Sequence, residues 1–378
     1  MFVGTRKALL SSGANWALRG SSLDLDFVHN RAAVNGANAS LTSLLSNTNS
    51  TGGYVTNADN SLTLIPANTL RIGAGTGLLV EQASTDVASH ANARDFTNAV
   101  WVKVNVTAAK NQVGADGTAN GASSLTATSN GGTVLQTPGL ISAARTFSLY
   151  IKRITGSGTV KVTIDGTNYS ADLSASLSTA VYYRATITAT VIPIIGVQLG
   201  TSGDAVAVDF AQLEALAFAT SAIPSGSATR SLDLVTLNNY ALFNATKGFS
   251  YYMYVAPTLD QVNTHYILMS GQRYFYNIAG AGTVVRNLDA GSNSLAATLG
   301  SGSLYTTNVK MAGTMTASGR ALVANGGTVV TDSFLQPTAT GIWIGSATGA
   351  GPMNAYTKRL AVMAPISNAA LQALTTNP

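Results

Sequence analysis

GLLVEQASTDVASHANARDFTNAVWVKVN, residues 77–105, is the stretch whose reading decides the fold. It opens with the apolar run Leu78-Leu79-Val80 and closes with Val100-Trp101-Val102-Lys103-Val104, two strand-length segments separated by polar, turn-forming residues. A second stretch is matched to it: VDFAQLEALAFATSAIPSGSATRSLDLVTL, residues 208–237. At a period of two, Val208, Phe210, Gln212 and Glu214 fall on one face of a strand, and Asp209, Ala211 and Leu213 on the other. The two stretches are expected to close one sandwich, since about a hundred residues of short alternating strands lie between them, the length of one such domain.

Working outward, the whole chain of 378 residues has room for two or three domains, each with its own core. Only 10% of residues are charged, against about 25% in ordinary soluble domains. Glycine numbers 37, and Ser, Thr and Asn are abundant, which suits short strands and frequent turns whose backbone groups are satisfied by hydroxyls and amides. The expected class is therefore all-β. Cysteine is absent, so no disulfide, thiolate metal site or Cys nucleophile exists. No run of about 20 apolar residues is present, so no membrane span is expected, and the opening MFVGTRKALLSSGANWAL has its apolar run broken by Ser11, Ser12, Gly13 and Asn15. The net charge of +5 is not gathered into a Lys/Arg run, which argues against nucleic acid as a partner.

In chain order, residues 1–22 read as an N-terminal arm in which Trp16, a large aromatic among small residues, is the candidate for docking on a partner. Residues 23–76 read as an irregular β collar that starts with the alternating strand Leu23–Phe27. Residues 77–236 carry the first sandwich. Within it Phe147, Leu149 and Ile151 alternate with Ser148, Tyr150 and Lys152, so one face should be buried and the other wet. Residues 237–378 form the second sandwich, ending in a short helix for which Ser367 is the N-cap and Leu371 and Leu374 the docking face. The expected architecture is two antiparallel β-sandwich (jelly-roll) domains preceded by an arm.

The chemistry-bearing residues are sparse. His29, His90 and His265 are scattered, and no G-x-S-x-G elbow occurs. Gly73-Ala74-Gly75-Thr76-Gly77 precedes a strand, so it lacks the helix dipole that holds phosphate. The chain has two glutamates, Glu81 and Glu214, one in each matched stretch. Two carboxyl groups facing a sugar would make a glycosidase. Their place on core-proximal strands favours a structural role, and Arg230 is expected to pair with Glu81 or Glu214 as a buried ion pair. Sugar binding needs aromatic platforms beside hydrogen-bonding groups. Tyr274 and Tyr276, next to Gln272 and Arg273, are the densest such group, with Tyr305 another. Trp101 is read as core.

GLLVEQAST (residues 77–85), DFTNAVW (95–101), the turn Ala115-Asp116-Gly117-Thr118 and AQLEALAFATSAIPSGSATR (211–230) occur in an order that resembles structural proteins of tailed bacteriophages, tail-fibre or head-fibre chains with carbohydrate-binding-like jelly rolls. The C-terminal stretch Tyr356–Val362 followed by residues 367–374 resembles the end of laminin G-like, concanavalin-like sandwiches. The resemblance implies a non-enzymatic virion structural protein, folded in the host bacterial cytoplasm and carried on the virion surface. It would be a tail fibre or receptor-binding adhesin contacting host surface glycans, with a head fibre or capsid decoration protein as the alternative and a surface-polysaccharide-degrading glycosidase as the alternative of another class. It also implies attachment to other virion proteins through the arm and a homo-oligomer, commonly a trimer. Such jelly rolls often carry a structural calcium; Asp24, Asp116 and Asp209 are the loose candidates, no D-x-D-x-D loop exists, and no metal or other cofactor is assigned.

Overall fold

The computed structural model describes residues 16–224, 228–238, 240–244, 246–257, 282–288, 293–335, 339, 341–345 and 352–376, together with the backbone of the strands His265–Met269 and Arg273–Asn277. It is nearly all β, and its strand pairs are antiparallel, as the composition predicts.

One sandwich is built from residues between Val102 and Glu214. Its five-stranded sheet runs Val106–Gln112, Ala122–Ala127, Ala205–Glu214, Ala143–Thr155, Tyr183–Val191, and its four-stranded sheet runs Val102–Val104, Gly132–Gln136, Ile195–Leu199, Val160–Thr163. Phe147, Leu149 and Ile151 point into the core between them, each fully buried, beside Val134 and Val197. Trp101 is core as expected: its ring stacks on Phe96 with centroids 4.2 Å apart, and its Nε1 donates to the Asn92 carbonyl at 3.0 Å. The strand Val102–Val104 stops short of Val106–Gln112, because Asn105 takes a left-handed φ of 56° and passes the chain from one sheet to the other.

The second sandwich packs a ten-stranded sheet on a seven-stranded one around a core that includes Leu25, Leu78, Tyr251, Met253, Ile344 and Leu360. Its composition corrects the domain boundaries. Ser21–Asp26 pairs with Ala355–Met363, Leu45–Thr48 pairs with Leu234–Leu237, and Gly77–Val80 pairs with Ala355–Met363. The segment expected as a separate collar, 23–76, thus supplies strands to the sandwich expected to begin at 237. The first sandwich is an insertion between Val80 and Leu234. Leu78–Val80 and Val208–Leu213, expected to close one unit, lie in different cores. The physical reason is that an apolar run records burial but not the identity of the sheet that buries it.

A third, smaller core joins the two units. The hairpin Gly53–Thr56 and Leu62–Ile65 lays Tyr54 and Leu62 against Tyr150, Tyr182, Ala207 and Phe210 on the outer face of the five-stranded sheet. The face expected to be wet is therefore covered, and Ser148 and Tyr150 are buried with it. Phe210 reaches this core through a β-bulge: Ser148 is opposite Gln212 and Tyr150 opposite Asp209, leaving two residues facing Leu149. Phe210 sits at φ 46°, and the bulge shifts the phase so that Val208, Ala211 and Leu213 share the inner core. The strict alternation read from residues 208–214 breaks at this point.

Trp16 folds back onto the second sandwich. The Arg31 guanidinium lies 4.3 Å from its ring centroid, and Arg359 donates to its carbonyl at 3.2 Å. The rest of the arm, 1–15, lies outside the described residues. At the other end the helix Asn368–Thr376 forms as predicted, with the Ala370 N–H donating to Ser367 Oγ at 3.3 Å. Leu371 is buried and Leu374 partly so, against Tyr252, Ala312 and Met363 on the outer face of the ten-stranded sheet.

Candidate functional site

The chain leaves the second sandwich at Glu81 and returns to it at Asp233, and these two residues are the acidic half of a solvent-free ionic cluster. The Asp233 N–H donates to the Glu81 carbonyl at 3.0 Å. Arg71 Nη1 donates to Glu81 Oε2 at 2.9 Å and to Asp233 Oδ2 at 2.7 Å, while its Nη2 donates to the Tyr54 carbonyl and to Ser221 Oγ. Ser221 closes the ring, donating its N–H to Glu81 Oε1 at 2.8 Å and its hydroxyl to Oε2 at 2.6 Å. Asn49 Nδ2 donates to the remaining Asp233 oxygen at 2.8 Å.

Arg230, expected to pair with Glu81 or Glu214, lies 3.6 Å from Glu81 Oε2 and 3.8 Å from Asp233 Oδ2, at ion-pair range but without a direct hydrogen bond. Among the described residues its hydrogen bonds go to the Gln82 and Ser231 carbonyls, and its Nε has no partner. Burial pushes the Arg230 guanidinium below its ordinary value. Burial alone would raise the Glu81 carboxyl; the charges of Arg230 and Arg71 and the bonds from Ser221 outweigh it and hold the group at about 2. Glu214 is served separately by the Ser84 and Thr220 hydroxyls and by the Thr220 N–H at 3.0 Å. Both glutamates are closed to solvent and saturated with donors. Arg71, Asp233 and Ser221 gave no local signal in the sequence, because their partners lie far along the chain.

A second constellation flanks an open cleft. Arg94 donates two bonds to Asp116, at 2.7 and 2.9 Å, and two to Asp209, at 2.7 and 3.0 Å. Its guanidinium also lies 4.1 Å from the Phe210 ring centroid, which in turn meets Tyr54 edge-on at 4.9 Å. Tyr54 donates its hydroxyl to Asp116 at 3.1 Å, and burial together with that carboxylate pushes the phenol up to about 12. The cleft has a volume of about 410 Å³ and is lined by His90, Arg94, Lys110, Asn120, Phe210 and Ile223, among others. Polar side chains thus stand beside the apolar Phe210 and Ile223, with the Arg94 donors engaged by the two aspartates and Lys110 Nζ donating to the Arg94 and Gly121 carbonyls at 2.9 and 2.7 Å. His90 is not poised as a base: Nδ1 lies 3.2 Å from Asp86 Oδ2 and Nε2 3.1 Å from the Pro224 carbonyl, so both nitrogens face acceptors.

The aspartates considered for calcium do not make a site. Asp116 and Asp209 converge, but the positive charge between them is the Arg94 guanidinium, and Asp24 is bound to Arg359 at 2.7 and 2.9 Å. Among the described residues no group of three His, Asp or Glu is placed to hold a metal. Tyr274 and Tyr276 lie on the strand Arg273–Asn277, and their side chains fall outside the described residues. Tyr305 is half-buried and packs on the second sandwich's core, with its ring against Gly282, so it is a lid on that core and not an open platform.

No family model matches the sequence, and no curated protein matches it. Solved structures with local similarity include a Trypanosoma rangeli sialidase in complex with a difluoro-KDN, 10% identical, with TM-score 0.29 over 37% of this chain and 25% of that one. The receptor binding domain of botulinum neurotoxin mosaic serotype C/D is 14% identical, with TM-score 0.28 over 37% of this chain and 38% of that one. The N-terminal CBM22 tandem domain of Xyn10C from Paenibacillus barcinonensis is 10% identical, with TM-score 0.26 over 76% of this chain and 100% of that one. The chain thus spans well under half of the first two, and the assignment of two antiparallel β-sandwiches rests on the strand pairing itself.

Proposed function

We propose that this chain is a non-enzymatic structural protein of a bacteriophage virion, a tail fibre or receptor-binding adhesin that holds a host surface glycan in the cleft between His90, Lys110 and Phe210. The observation that carries the reading is the contrast between that open cleft, lined by polar and aromatic side chains, and the two glutamates, which are sealed in internal bonds where neither sugar nor water reaches them. A glycosidase needs its carboxyl groups on either side of a bound sugar ring. The order of the motifs in residues 77–230 and the low charge of the chain support a particle component. The arm preceding Trp16 is assigned to attachment on other virion proteins, and the assembly to a homo-oligomer, as a trimer.

The test is incubation of the purified protein with host surface polysaccharide, following both retention and chain length. Retention at unchanged chain length is expected, and it should weaken at least tenfold in Lys110→Ala combined with Asn120→Ala. Shortening of the polysaccharide overturns the reading in favour of an enzyme, and the absence of retention overturns it in favour of a purely architectural part.

A further inference from the structure

Asn-Gly pairs occur four times in the chain, at 35–36, 120–121, 130–131 and 325–326. The pair is chemically labile, because a glycine nitrogen, unshielded by a side chain, can attack the carboxamide carbon of the asparagine before it. Attack requires that the carboxamide and the glycine N–H be free and that a ring have room to form. On these grounds the four pairs are not equivalent.

Three are held. Asn325 Oδ1 accepts from the Lys310 N–H at 2.8 Å, its Nδ2 donates to the Ser301 carbonyl at 2.9 Å, and the Gly326 N–H donates to Thr375 Oγ1 at 3.2 Å. Asn130 Oδ1 accepts from the Ser202 N–H at 2.8 Å, and the Gly131 N–H donates to the Gly200 carbonyl at 3.1 Å. Beside the cleft the Gly121 N–H donates to the Thr118 carbonyl at 3.0 Å, and Gly121 is packed so closely that a Cβ there would lie 2.6 Å from Arg94 Nη2.

Asn35-Gly36 is the exception. It forms the two-residue turn between the strands Arg31–Val34 and Ala37–Ala39, which meet through the pairing of Val34 with Ala37. Asn35 at φ 48° and Gly36 at φ 78° both take the left-handed conformation that a type I′ turn demands. Both residues are exposed. The Asn35 N–H donates to the Ser22 carbonyl at 2.9 Å, but among the described residues neither its carboxamide nor the Gly36 N–H has a partner. Nothing lies within 4 Å of the place a Gly36 Cβ would take, so the turn can leave its resting geometry and admit a ring without meeting a neighbour.

We infer that Asn35 is the site at which this protein deamidates in its folded state. The Gly36 nitrogen bonds to the Asn35 carboxamide carbon, the bond from that carbon to the side-chain nitrogen breaks, and ammonia leaves with the proton that the Gly36 nitrogen gave up. Water then adds to either carbonyl of the resulting cyclic imide, and cleavage of the adjoining C–N bond leaves aspartate or isoaspartate. Water is the co-reactant, and nothing is oxidised or reduced. Either product adds a negative charge. Isoaspartate also routes the backbone through the former side chain and lengthens a turn whose register depends on its length, so Ala37–Ala39, the end strand of the ten-stranded sheet, is loosened.

The test holds the purified protein at mildly alkaline pH in water enriched in heavy oxygen. Fragmentation mass spectrometry then reads, at each asparagine, the amide-to-acid change and the oxygen taken from water. In the folded protein the acid fraction at Asn35 should exceed that at Asn120, Asn130 and Asn325 on the order of tenfold or more, and in urea the four should converge, since only the folded state distinguishes them. Amide exchange at Ala37 and Ala39 should quicken in the aged protein and stay constant in Asn35→Gln aged alongside it. Earlier change at another pair, or equal change at all four in the folded protein, overturns the inference. Deamidation of Asn35 with unchanged exchange overturns the loosening of the strand.

Discussion

Arg71 and Glu81 meet at 2.9 Å, Nη1 to Oε2, with both side chains withdrawn from solvent at the point where the chain passes from one sandwich into the other. Arg71 belongs to the outer sandwich, and Glu81 is the first residue of the connection to the insert. The same guanidinium holds Asp233, on the return connection, so one side chain ties together both strands of the crossing. The insert is thereby anchored to its host by charge as well as by the apolar contact of Tyr54 with Phe210.

Removing one partner of this cluster leaves the others buried without compensation. Glu81→Gln is expected to destabilise the protein by about 3–5 kcal/mol, the scale for breaking a buried ion pair, measured by urea denaturation at neutral pH. The carboxyl is held at about 2 against an unfolded value near 4.5, so its contribution is fully present above 4.5 and is lost as pH falls toward 2. The acid limb of the stability curve should therefore be shallower in Glu81→Gln than in the unaltered protein.

His90 should carry the opposite pH dependence. Its bond to the Asp86 carboxylate raises the imidazole above its ordinary 6.5, helped by the Pro224 carbonyl and opposed by burial. A raised value means the stabilisation is complete below 6.5 and disappears as pH rises through the folded value. Melting temperature should thus fall as pH rises above about 6.5, and that fall should be reduced in His90→Gln. An unchanged slope in the variant would locate the titrating group elsewhere.

The contact of Tyr54 with Phe210 spans the two units, with centroids 4.9 Å apart and planes at 65°. A double-mutant cycle on Tyr54→Leu and Phe210→Leu should return a coupling of about 0.5–1.5 kcal/mol, the range for edge-on aromatic pairs. Additive single effects would show that the hairpin is held by its other contacts.

Arg94 occupies the space between Asp116 and Asp209, so chelation of divalent cations should leave the melting temperature of the purified protein unchanged. Arg94→Lys, by contrast, keeps the charge but loses the paired donors and should cost about 3 kcal/mol, the lower end for disrupting a buried ion pair. A drop in melting temperature on chelation, restored by calcium, would overturn the first expectation.

Much of the local structure was legible in the residues. Phe147, Leu149 and Ile151 alternate and are buried; Trp101 is core; Ser367 caps a helix whose Leu371 faces inward. Each of these depends on neighbours within a few positions. The bulge at Phe210 was not legible, because an extra residue in a strand is visible only against its partner, here the strand Ala143–Thr155. The participation of Leu23–Val80 in the second sandwich was equally hidden, since Leu25 and Leu78 are apolar in the same manner as any strand residue and acquire their place only from Leu360 and Met253.

From the sequence alone came the all-β class, the presence of two sandwiches, the inward face of Phe147, Leu149 and Ile151, and the suspicion that Arg230 meets Glu81 or Glu214. Tertiary structure alone decided that one sandwich is inserted into the other and that Arg71 and Asp233, 162 residues apart, complete the charge cluster at the crossing. The reason is physical: side-chain period and turn chemistry act over a few residues, whereas the pairing of sheets and of buried charges depends on distances that exist only after the chain has closed on itself.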